Sequence, residues 1–123
     1  MPPKTKLPIK TEHEEQVEFV TWFKYFYPEY LIMSIPNGSN KSRSAAAKFN
    51  AEGLLAGAPD LFVPVARGGY HGLFIEMKRL YGGVVSERQK AAIAELRKAG
   101  YCCLICPGAD TAKIVTREYM SLR

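Results

Sequence analysis

Apolar and polar positions along this chain change period several times, and each change marks an element. Between Thr11 and Tyr27 the residues Val17, Val20, Phe23 and Phe26/Tyr27 recur at helical spacing, with Phe19 widening the stripe. Thr11 is placed to cap that helix, Glu12, Glu14 and Glu15 favour its positive end, and Pro28 stops it. Leu31-Ile32-Met33-Ser34-Ile35 predicts a short strand, closed by the turn Pro36-Asn37-Gly38. Ser44 to Glu52 is alanine-rich and helical, with Gly53 as its C-cap. Leu61-Phe62-Val63 and Leu73-Phe74-Ile75 are rich in strand formers and flank Arg67-Gly68-Gly69, the pattern of a β-hairpin. Ser86 caps a helix from Glu87 to Ala99 that Gly100 ends. Tyr101 to Cys106 predicts a buried strand, and a last helix runs from about Thr111 to Met120. A helix crossing between the hairpin and the final strand requires parallel pairing there. The expected architecture is therefore α/β, a mixed central β-sheet flanked by helices.

A chain of 123 residues suits one domain with a real core. We place its body at 11–123. Residues 1–10 hold three prolines and three lysines, the composition of a flexible basic arm that either brushes phosphates or has no role. The net charge of +5 and pI near 9.2 favour a polyanionic partner, nucleic acid being the commonest, although many small basic proteins bind nothing acidic. No apolar run approaches the ~20 residues of a membrane helix, and the first residues lack the apolar core of a secretory signal, so no membrane association and an intracellular location are expected. Cys103-x-x-Cys106 lacks a second pair, and His13 and His71 lie far off in sequence. With Cys102, these cysteines read as buried reduced thiols.

Chemistry concentrates on the hairpin. Asp60 opens its first strand behind Gly57-Ala58-Pro59, a stiff turn that fixes where the carboxylate enters. Glu76 and Lys78 close the second strand on one face, while Met77 points into the opposite layer. Two carboxylates with room for several waters suit a hard divalent cation such as Mg²⁺. A lysine beside them can orient or deprotonate water, or stabilise charge building on a phosphate. Alternatively, Glu76 and Lys78 are a solvated pair on an edge strand. The uninterrupted apolar run Leu73 to Ile75 argues for a strand covered on both faces, with its charges at a sheet edge or a cleft. Lys41 and Arg43 after the Pro-Asn-Gly turn, together with Lys48, Arg79 and Arg88, supply cations for a phosphodiester backbone.

Gly57-Ala58-Pro59-Asp60, then a hairpin, then Ile75-Glu76-Met77-Lys78, resembles the VRR-NUC domain, a branch of the PD-(D/E)xK restriction-endonuclease-like nucleases. The resemblance extends to Ile35-Pro36-Asn37-Gly38 and to Ser86-Glu87-Arg88-Gln89, and spans Glu12 to the C-terminus. It implies a restriction-endonuclease-like fold and phosphodiester hydrolysis in DNA. Glu15, Asp60, Glu76 and the Met77 carbonyl would bind one or two Mg²⁺ or Mn²⁺ ions, with Lys78 holding water or transition-state charge. Glu15 is the first-helix glutamate matched to the metal site, with Glu14 and Glu18 as rivals and Gln16 as a possible assistant. The resemblance further implies that Gln89 holds the nucleophilic water or a neighbouring phosphate, and that Asn37 lies near the active site. Standalone phage and bacterial members resemble Holliday-junction resolvases, homodimers that act on branched DNA. Tyr25, Phe26, Tyr27 and Tyr30 exceed what a small core needs and offer part of such an interface. Two other classes remain: a non-catalytic DNA-binding module on a nuclease-like fold, and a thiol redox factor resting on the cysteines.

Overall fold

β3 is the axis of the molecule because its apolar residues are covered on both faces. The computed structural model describes residues 9–36 and 42–123. Along them run α1 (Glu12–Phe26), β1 (Met33–Ser34), α2 (Arg43–Ala51), β2 (Leu61–Val63), β3 (Leu73–Lys78), α3 (Glu87–Lys98), β4 (Cys102–Pro107) and α4 (Ala109–Ser121). The sheet has the order β1-β2-β3-β4. β1 and β3 each pair antiparallel with β2, and β4 pairs parallel with β3 across α3, as the crossing helix requires.

The alternation along β3 separates core from chemistry. Leu73, Ile75 and Met77 enter the main core, where Phe19 and Phe23 of α1 and Ala112 and Tyr119 of α4 meet them. Full burial of each Phe, Leu or Ile contributes about 1.5–3 kcal/mol, so this layer dominates the stability. Phe74, Glu76 and Lys78 take the opposite face, towards α3. There Phe74 stacks on Phe62 at 4.3 Å and meets the edge of Tyr101.

Three local readings change. Phe19 and Phe23 are inaccessible, whereas Val17 and Phe26 are 50% and 58% exposed, because α1 lies against both the sheet and α4 along the Phe19-Phe23 line. β1 is only Met33–Ser34, since β2 offers partners to those two residues alone. α4 begins at Ala109, ahead of Thr111, with no side-chain cap of its own. Residues 1–8 of the basic arm, with Asn37 and Lys41, lie outside the described residues.

Cys103 and Cys106 are buried, Cys102 is half-buried, and all three are free. Burial pushes their thiols up, Cys103 to about 11 and Cys106 to about 12, which leaves them protonated and poorly nucleophilic near neutrality. Among the described residues, no helix is long and apolar enough to cross a membrane.

Candidate metal centre

Gly57 has φ +88°, and a Cβ there would come within 2.5–2.8 Å of the Arg88 and Gln89 backbone. Only glycine lets this turn press so closely on the first turn of α3. Pro59 then directs Asp60 to the mouth of the hairpin, where its Oδ2 accepts the Met77 N–H over 2.7 Å. In an extended strand a residue's N–H and C=O point to the same side, so the Met77 carbonyl faces the Asp60 side of β3 as well.

Glu76 and Lys78 are 1% and 7% exposed on a central strand, which excludes the solvated edge pair. Lys78 Nζ lies 3.5 Å from Glu76 Oε1 and donates to Gln89 Oε1 over 3.1 Å. Gln89 Nε2 in turn donates to Glu76 Oε1 over 3.0 Å. α3 holds this glutamine through a capping box, in which Ser86 Oγ accepts the Gln89 N–H and Gln89 Oε1 accepts the Ser86 N–H.

The four glutamates of α1 divide their work. Glu14 closes the Thr11 capping box, and those hydrogen bonds lower its pKa. Glu18 pairs with Lys10 and Lys113, and both bonds lower its pKa. Glu15, four residues before Phe19, is buried, and its Oε2 accepts the Ala109 N–H at the start of α4 over 3.2 Å. It serves there as the missing cap, its charge at the positive helix end. Glu12 is the glutamate brought to the cleft: its carboxylate and those of Asp60 and Glu76 offer oxygens within 4.8 Å of one another, and its Oε1 is 3.9 Å from Lys78 Nζ. Glu12, one helical turn before Glu15 on the same side, is thus the α1 glutamate grouped with Asp60 and Glu76 among the described residues. A first-turn glutamate three residues before a buried one was the available signal, and its ordinary reading as a dipole residue hid it.

Burial, then the Asp60 charge, pushes the Glu76 carboxyl up to about 8, and burial also raises Asp60. Among the described residues, Glu76 Oε2 is buried without a hydrogen-bond partner. Three converging carboxylates, an orphaned buried oxygen and a carbonyl on the same side form an all-oxygen donor set that fits a hard divalent cation. Of the expected phosphate contacts, Arg43, Lys48 and Arg88 are exposed, on α2 and α3. Arg79 is also exposed, and its guanidinium donates to the Gly82 carbonyl over 3.2 Å.

The mixed sheet, with acidic groups and a lysine gathered where the hairpin meets α3, belongs to the α/β nuclease-like fold class. A solved structure named "VRR_NUC domain protein" matches it with a TM-score of 0.79 and 34% identity, over 94% of this chain and 93% of that one. Residues 10–110 match the VRR-NUC domain. No curated protein matched. The chain belongs to the VRR-NUC domain family and is a nuclease-type DNA-processing domain.

Proposed function

We propose that this protein is a divalent-metal-dependent, structure-selective DNA endonuclease, acting as a homodimeric Holliday-junction resolvase. The observation that carries the catalytic part is the buried, unpartnered Glu76 Oε2 beside Asp60 and Glu12, with Lys78 Nζ 3.5 Å from the other Glu76 oxygen. Glu12, Asp60, Glu76 and the Met77 carbonyl would hold Mg²⁺ or Mn²⁺. Such an ion supplies charge neutralisation at the phosphodiester and acidifies water. Lys78 donates a proton-bearing nitrogen to the attacking water or to the developing charge on phosphorus oxygens, and Gln89 fixes the lysine and Glu76 relative to each other. Exposed Arg43, Lys48, Arg79 and Arg88, with Asn37 and Lys41, bind the backbone through phosphates, which makes affinity fall steeply with salt.

The junction and dimer reading has a separate support. Tyr25, Phe26, Leu31 and Met33 are 78%, 58%, 67% and 44% exposed around the end of α1 and the edge strand β1. So much apolar surface in one region suits a second copy, and symmetric cleavage of a four-way junction needs two sites. A DNA-processing role of this kind fits an intracellular protein, bacterial or phage-encoded.

The test is incubation of purified protein with linear, flapped and four-way-junction DNA in Mg²⁺, Mn²⁺ or EDTA. Metal-dependent nicking that prefers the junction, and disappears in folded Asp60→Ala and Lys78→Ala, is expected. Binding without cleavage in any metal would instead favour the non-catalytic module.

A further inference from the structure

The loop between β3 and α3 leaves Leu80, Tyr81 and Val84 53%, 67% and 78% exposed, three large apolar side chains on a short connection. Solvent gives no reason for them, and the loop is not remote from the site. Gly83 packs on the Lys78 stem, so that a Cβ there would lie 3.0 Å from Lys78 Cβ and 3.4 Å from Cδ. The Arg79 guanidinium bonded to Gly82 O ties down the loop's middle. Two grooves meet it on either side of Ile9 and Lys10. One runs from Glu12 past Arg79 and Gly83 to Val84, and the other, of about 380 Å³, is lined by Leu80, Tyr81, Pro107 and Asp110.

The two grooves differ in what they can accept. Arg79 lines the groove that leads out of the carboxylate cluster, which suits a sugar-phosphate chain. The Leu80-Tyr81 groove holds Glu15, Asp110 and a Glu18 whose carboxylate already pairs with Lys10 and Lys113, so it offers a phosphate no free cation among the residues that line it, beside an aromatic face that a base can cover. We propose that Tyr81 stacks on an unstacked nucleobase adjacent to the scissile phosphate, so that the loop selects DNA whose stacking is already broken. This rests on the nuclease reading above and names the feature of the substrate that the site recognises. In continuous duplex every base face is occupied, and Tyr81 has nothing to cover. At a branch point the exposed face is free.

The experiment uses the full chain in EDTA, with a four-way junction carrying 5-iododeoxyuridine at the branch point and a linear duplex of the same sequence. Photocrosslinking with mass mapping is expected to place the adduct on Tyr81. Tyr81→Ala should weaken junction binding by about 5- to 150-fold, Tyr81→Phe should keep it, and duplex affinity should change less than twofold in both. Equal losses on junction and duplex, no loss on either, or an adduct elsewhere overturns the proposal. Because these readings need no cleavage, a protein that stacks the base but never nicks DNA in metal would sink the catalytic reading and leave this one standing.

Discussion

Gln89 Nε2 donates to the same Glu76 oxygen that lies 3.5 Å from Lys78 Nζ. One carboxylate oxygen is therefore engaged by the protein, and the other is left buried without a partner. Gln89 and Lys78 together thus decide which half of Glu76 is available to a cation.

Replacement of Gln89 by alanine should remove both constraints while leaving the carboxylates in place. We expect single-turnover cleavage or metal affinity to fall by about 10–100-fold, the usual cost of losing a group that orients a metal ligand, with DNA affinity in EDTA within twofold of the parent. Equal losses in DNA affinity and cleavage would argue against this.

Glu12 and Glu15 should separate cleanly. Glu12→Ala removes an exposed carboxylate and is expected to weaken Mn²⁺ binding by calorimetry with little change in the urea midpoint. Glu15→Ala leaves the Ala109 N–H unpaired and is expected to cost about 1.5–3 kcal/mol in stability. If Glu15→Ala instead abolishes Mn²⁺ binding at full stability, the assignment reverses.

The Glu76 carboxyl sets a pH dependence with a definite sign. Its pKa in the folded protein is raised from 4.5 to about 8, so the folded state retains a proton that the unfolded chain releases. Without divalent ions, stability should be unaffected by this group below about pH 4.5, decline by at most about 1.4 kcal/mol per unit up to pH 8, and level off beyond. Urea midpoints from pH 5 to 9 in chelator should show this slope in the wild type and a flatter one in Glu76→Gln. Mn²⁺ binding, which needs the carboxylate, should strengthen over the same window and release protons.

Gly57→Ala puts a side chain at positive φ against the Arg88 and Gln89 backbone. Strain alone should cost about 1–3 kcal/mol, and displacement of α3 should carry Gln89 away from Lys78. A variant with unchanged midpoint and unchanged cleavage would show that this contact positions nothing.

The hairpin, the parallel crossing and the meeting of Asp60, Glu76 and Lys78 were legible because they depend on local quantities. Strand alternation puts residues 76 and 78 on one face whatever surrounds them, and the Gly-Ala-Pro turn fixes residue 60. That Glu12, and not Glu15, Glu14 or Glu18, is the α1 glutamate grouped with Asp60 and Glu76 was not legible. Residues three apart share a helix face, so the pattern gives their direction but not which turn of α1 lies beside the end of β3. That height is set by Phe19 and Phe23 packing on the sheet and by the start of α4, over 90 residues away in sequence. The same packing made Val17 and Phe26 surface residues despite their helical spacing.

Among the described residues, α2 contributes no buried residue, and its cap, Ser42, bonds to Ala45 and Ser44 of its own first turn. Its solvent-facing positions, Arg43, Ser44, Ala47, Lys48, Asn50 and Ala51, consequently carry little of the scaffold's stability. Substitution at those positions gives evolution or an engineer a cassette through which to retune the charge presented to a substrate without re-solving the core.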